Sequence, residues 1–113
     1  MTGNVLSWKQ ALAMGYAPRQ YEYLHGSLPV DPFIAVLDFK IWAQKVLAIN
    51  GYFTLEDGGQ KIQLSVYLSA EQTYRIGKDQ IDFFRCQTGC RYLLQTKISK
   101  TGKLILNDIT PVQ

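Results

Sequence analysis

Residues 31–51 read D-P-F-I-A-V-L-D-F-K-I-W-A-Q-K-V-L-A-I-N-G, and two periodicities compete along them. Leu37, Phe39, Ile41 and Ala43 alternate with Asp38, Lys40, Trp42 and Gln44, the period-two signature of a strand with one buried face. Ala35, Phe39, Trp42, Val46 and Ile49 recur at four-three-four-three spacing, the stripe of a helix. Asp31 can cap that helix, Pro32 can be its first residue, and Asn50-Gly51 can close it. A strand reading needs a turn at Ala43-Gln44-Lys45, where no Gly, Pro, Asn or Asp supplies turn chemistry. A single strand through the whole stretch exceeds the usual ~3–10 residues. Length therefore predicts a long, largely buried helix over about residues 32–49.

Upstream, Ser7 and Gln10 have the spacing of a capping box, so a short helix is expected from Ser7 toward Gly15. A second helical turn is expected from Pro18 to Leu24. Downstream of Gly51 the pattern turns to strands. Around L-E-D-G-G-Q-K-I, a turn centred on Gly58-Gly59 sets Leu55 against Ile62, Phe53 against Leu64 and Glu56 against Lys61. Centring it on Asp57-Gly58 instead sets Leu55 against Gln60 and Phe53 against Ile62, which segregates the faces less well. Gln87-Thr88-Gly89 and Lys100-Thr101-Gly102 resemble three-residue hairpin loops ending in glycine.

Together these elements predict an α+β protein: short N-terminal helices in 1–30, one long helix in 31–50, and a four- to five-stranded antiparallel meander in 51–113. The arrangement is a cystatin-like wrap in topology only. If residues 33–49 are strands, the alternative is a small OB-type β-barrel. No repeat or linker divides residues 1–113, which suit a single domain.

Composition is that of an ordinary globular chain, with 47% hydrophobic and 19% charged residues. No apolar run suits a membrane span, and the first residues lack the pattern of a signal peptide. With only two cysteines, a cytoplasmic, reduced setting is the expectation. The net charge of +3 is uneven: residues 1–60 sum to −1 and residues 61–113 to +4. The second half is therefore the one able to attract an anion.

Cys86 and Cys90 lie in R-C-Q-T-G-C-R. A hairpin at Gln87-Thr88-Gly89 sets them opposite each other, as core thiols able to form a conditional disulfide. Metal binding would need further ligands, and the one histidine, His25, is far away in sequence. The same register sets Arg85 against Arg91, like charges that must face water or an anion. Lys97 and Lys103 extend that outer face, and Tyr52, Gln63, Ser65 and Tyr67 point outward from the first hairpin. Arg85, Arg91, Lys97, Lys103, Tyr52 and Tyr67 form a candidate phosphate-binding and base-stacking set; a solvated polar face gives the same pattern.

Trp8, Tyr16, Arg19, Tyr21 and Tyr23 are of the types enriched at protein interfaces, or they cap their own core. No phosphate loop, dinucleotide fingerprint, nucleophile elbow or calcium loop is present, and no catalytic residue, metal or cofactor is expected. The leading expectation is a non-enzymatic protein that binds a macromolecular partner or itself, without membrane association. Binding of single-stranded nucleic acid by the basic, tyrosine-bearing sheet face is the alternative, and a small-molecule-binding module is a second one.

Overall fold

The computed structural model describes residues 4–21 and 31–113. In chain order its elements are β1 (Val5–Leu6), α1 (Trp8–Ala13), a 3-10 turn (Pro18–Gln20), β2 (Phe33–Trp42), β3 (Ala48–Leu55), β4 (Lys61–Tyr67), β5 (Arg75–Ile76), β6 (Ile81–Asp82), a second 3-10 turn (Phe83–Arg85), β7 (Arg91–Ile98) and β8 (Leu104–Pro111). The long helix expected over 32–49, and the α+β wrap built on it, are not formed. That segment is β2, a loop and β3, and the longest helix among the described residues is the six-residue α1.

A bulge explains why β2 imitates a helix. Its register against β3 shifts between Leu37 and Phe39, at Asp38. Such an insertion reverses which side chains face inward. Ala35 and Leu37 enter the barrel core, whereas Phe39 and Ile41 face outward onto a second cluster with Ala11, Tyr21 and Tyr52. Lys40 then takes the inward position and is fully buried. With both faces covered, the strand loses simple alternation against one core. The expected lack of turn chemistry is resolved by length: Ala43–Leu47 form an open loop, closed by Ala43 N–H donating to Ala48 O at 3.0 Å and Leu68 N–H to Leu47 O at 2.9 Å. No residue of that loop requires a positive φ. Asp31 is not a helix cap; its carboxylate accepts from Thr96 N–H at 3.1 Å, beside the bulge between Gln95 and Thr96.

The strands close in the order β2-β3-β4-β8-β7, with β7 returning to β2. β4 and β8 run parallel and the other barrel neighbours are antiparallel. This is a closed five-stranded barrel of OB type, and closure removes free sheet edges. Where β2 diverges from β7, β1 lies parallel against it at Val5↔Lys40 and Leu6↔Ile41. Leu37, Ile49, Phe53, Leu64, Leu94 and Ile109 fill the interior with no exposure. Phe83 joins them from the second 3-10 turn, and Lys40 Nζ donates to Phe83 O at 3.0 Å and Phe84 O at 2.8 Å, pinning that turn to β2.

Two expected registers change. In the β3–β4 hairpin, Phe53 pairs with Ile62 and Thr54 with Lys61, so the Gly58-Gly59 centre is not used. The two registers differ by two residues, so both keep Phe53, Leu55, Ile62 and Leu64 on the barrel side. The observed one frees Glu56, whose N–H donates to Ile34 O at 2.9 Å and whose carboxylate meets Arg91 Nε at 2.6 Å. The loop at residues 87–89 is not a hairpin either, because Phe83–Arg85 form a 3-10 turn rather than a strand. Cys86 is buried and Cys90 exposed, and both thiols are free. The Lys100-Thr101-Gly102 turn forms as expected, with Ile98 opposite Leu104 and Gly102 at φ 82°.

The N-terminal segment lies on the barrel's outer wall. Ser7 Oγ accepts from Gln10 N–H at 3.1 Å and Gln10 Oε1 from Ser7 N–H at 2.9 Å, completing the capping box. Gly15 leaves the helix at φ 89°. Tyr16 stacks on Phe39 at 4.4 Å, Phe39 stacks on Tyr52 at 4.6 Å, and Tyr21 meets both rings edge-on. The expected helical turn is found at Pro18–Gln20 and ends at Tyr21, whose backbone is extended; Leu24 lies outside the described residues.

Candidate nucleic-acid interface

The outward faces of β3 and β4 carry Asn50, Tyr52, Gln63, Ser65 and Tyr67 in alternation with the barrel core. Asn50, Tyr52, Gln63 and Tyr67 form the floor of a groove of about 590 Å³, with Ser65 bonded to Asn50. The end of β2 and the β2–β3 loop contribute Trp42 and Lys45, the N-terminal segment contributes Trp8, Arg19 and Tyr21, and the β7–β8 turn contributes Lys103. The N-terminal wall is set by features of the chain already described. The bulge at Asp38 turns Phe39 outward to hold Tyr16 and Tyr21, and the capping box starts the helix that bears Trp8.

The floor is rigid. Tyr52 is 1% exposed, Ser65 1% and Gln63 9%. Ser65 Oγ donates to Asn50 Oδ1 at 2.6 Å, which fixes the carboxamide and leaves its NH₂ group as the donor it presents. Tyr21 Oη donates to Asp38 Oδ2 at 2.8 Å; burial and that carboxylate push its phenol well above the usual tyrosine range. The rim is different. Trp42 is 38% and Tyr67 39% exposed, large aromatic surfaces left in water on β2 and β4, the two strands that flank β3. Arg19 lies over the Trp8 ring at 5.8 Å, which holds a cation and an aromatic face as one unit.

Charge is one-signed. Arg19, Lys45 and Lys103 line the groove and no carboxylate does among the described residues. Lys103 is partly buried, and desolvation lowers its pKa from the ordinary lysine value. The arrangement offers cations for phosphate oxygens, exposed rings for planar bases, and a fixed amide on the floor.

The residues expected from sequence separate in space. Tyr52, Tyr67 and Lys103 come together in this groove, Tyr52 as buried floor rather than exposed platform. Arg85 lies in a neighbouring groove, and Lys97 is exposed on β7 away from both. Arg91 is held by Glu56, whose hydrogen bond and charge raise its pKa further. Of the residues expected at a partner interface, Trp8, Arg19 and Tyr21 line the groove, and Tyr16 and Tyr21 pack on the chain's own Phe39. Tyr23 and His25 lie outside the described residues.

Sequence reasoning missed Trp42, Lys45, Asn50 and Arg19 as parts of one nucleic-acid site. The available signal was a tryptophan and a lysine flanking an apolar-to-apolar junction, which a strand reading of 33–49 turns into a loop. Among the described residues no group of three or more His, Cys, Asp or Glu is placed to hold a metal ion, and no helix is long and apolar enough to cross a membrane. Comparison with protein-family models, curated proteins and solved structures finds no match for the chain.

Proposed function

We propose that the protein binds single-stranded nucleic acid in the groove over β3 and β4. The observation that carries this reading is the groove itself: Trp8, Trp42 and Tyr67 beside Arg19, Lys45 and Lys103, with no carboxylate among the described lining residues. In OB-type barrels the face of the second and third barrel strands, flanked by the first and last hairpin loops, is the surface that takes oligonucleotides and oligosaccharides. Here that surface is β3–β4, between the Ala43–Leu47 loop and the β7–β8 turn. The cations favour a polyanion over a neutral glycan.

In this reading Arg19, Lys45 and Lys103 neutralise phosphates, and bases stack on Trp42 and Tyr67. Asn50 donates to whichever base acceptor reaches the floor. A duplex does not suit the site, because its bases are stacked inside and cannot lie on these rings. Fluorescence anisotropy with a labelled single-stranded oligonucleotide tests the proposal. Tyr67→Ala removes one stacking surface, and loss of one base–aromatic stack, about 1–3 kcal/mol, weakens binding about 5- to 150-fold. Unchanged affinity in Tyr67→Ala, with its circular dichroism intact, contradicts the assignment.

A further inference from the structure

We infer that the bound strand crosses Trp42 into a second groove, so that the site has two segments with this tryptophan between them. The inference rests on the single-strand reading of the first groove. A depression of about 630 Å³ lies on the other side of Trp42, lined also by Leu6, Gln10, Phe84, Arg85 and Gln87. Trp42 is the one residue that walls both grooves among their described linings. Its ring centroid is 5.9 Å from that of Phe84, tilted by 40°.

The second groove repeats the chemistry of the first. Phe84 is 46% exposed, so two large rings stand in water side by side, an arrangement that marks a surface awaiting a ligand. The Arg85 side chain is 84% exposed. Its Nε lies 3.6 Å from Asp82 Oδ2, a surface pair too weak to hold the guanidinium back from a phosphate. Asp82 is itself engaged, because its Oδ1 accepts from Phe84 N–H at 3.1 Å and so caps the 3-10 turn that carries the ring. No carboxylate lines this groove among the described residues. The rim of the first groove therefore continues as a track of Trp42, Phe84 and Arg85.

Buried Lys40 supports the second groove from beneath. Its ammonium donates to the carbonyls of Phe83 and Phe84, so Phe83 is turned into the barrel and Phe84 is left outside. A single OB-type barrel takes about 4–16 nucleotides. The first groove alone suits the low end of that range, and both grooves together suit its middle.

The test is affinity against length, with deoxythymidine oligonucleotides of about four and about twelve nucleotides, spanning that range. The wild type should bind the longer one at least tenfold more tightly after correction for the number of overlapping positions. Arg85→Glu should leave the short oligonucleotide's affinity within twofold and remove most of the gain from length. Phe84→Ala should do the same; because Arg85 is exposed, the Arg85→Glu arm remains informative if Phe84→Ala does not fold. Equal binding of the long oligonucleotide by wild type and Arg85→Glu overturns the two-segment track and leaves the first groove standing. Loss of the short oligonucleotide as well overturns it differently, by making Arg85 part of a single site. Failure of the wild type to bind either length removes both readings.

Discussion

Neutralising the two exposed cations of the main groove gives a change that can be worked out in advance. Arg19 and Lys45 are exposed, and neither is ion-paired among the described residues; Lys103 is partly buried. If all three contact phosphates of a short single strand, the slope of log K against log salt is about −2.1, at about −0.7 per neutralised phosphate. Raising salt from about 50 to about 200 mM then weakens binding about 18-fold. The double variant Arg19→Gln, Lys45→Gln keeps one contact, so its slope falls to about −0.7 and the same change costs about 2.6-fold. Anisotropy titrations of a four-nucleotide probe at four salt concentrations measure both slopes. A double variant with the wild-type slope would refute the assignment, whatever its absolute affinity. Arg19 also packs on Trp8, so a drop in affinity alone is not diagnostic; the slope is.

Three further outcomes follow from the packing. Burial lowers the Lys40 pKa to about 8, so between pH 8 and 9 the unfolded chain holds a proton that the native state has shed, and stability rises with pH. The gain from pH 7.5 to 9 is about 1 kcal/mol and should vanish in Lys40→Met. Above pH 9 it is opposed, because burial raises Cys86 to about 11 and Tyr92 to about 12, and groups that keep their protons in the native state lose stability for it. Urea melts at the two pH values check this, and an equal rise in both proteins contradicts it. A Cβ on Gly51 would stand 2.5 Å from Phe83 Cζ and 2.8 Å from Phe53 Cε1, so Gly51→Ala should cost about 1–3 kcal/mol in a thermal melt; an unchanged midpoint would show that the rings yield freely. Tyr21→Phe loses the hydrogen bond to Asp38 and should destabilise by about 1 kcal/mol in urea melts, and an unchanged midpoint would mean that this bond does not anchor the N-terminal segment.

What was legible in the sequence was mostly local. The capping box, the left-handed exit at Gly15 and the Lys100–Gly102 turn depend on neighbours a few residues apart, and each formed as the spacing implies. The fold turned on β2, where the deciding contacts are remote. The bulge at Asp38 is sustained by Tyr21 and by the β3 strand, and the burial of Phe39 comes from Tyr16 and Tyr52. No pattern within residues 31–51 carries that information. The candidate site was legible by alternation: Tyr52, Gln63, Ser65 and Tyr67 do leave the barrel on one face. The covering of Tyr52 by the N-terminal segment was not, because it depends on how residues remote in sequence pack on the strands. Arg85 and Arg91 were paired through a hairpin that a 3-10 turn replaces; both still line one depression beside Cys86 and Cys90, Arg85 near Asp82 and Arg91 bonded to Glu56.

The most direct test of the central claim uses the chain's two tryptophans, since both line the groove. Amide correlation spectra of the ¹⁵N-labelled protein, recorded with an added four-nucleotide single strand, report their indole N–H groups separately. Binding in the groove should shift Trp8 and Trp42 together with the backbone of residues 43–46 and Tyr67, and leave Leu93, Gln95 and Lys97 on β7 unmoved. Shifts confined to the β7 face, or none at millimolar oligonucleotide, would contradict the assignment of this groove as the binding site.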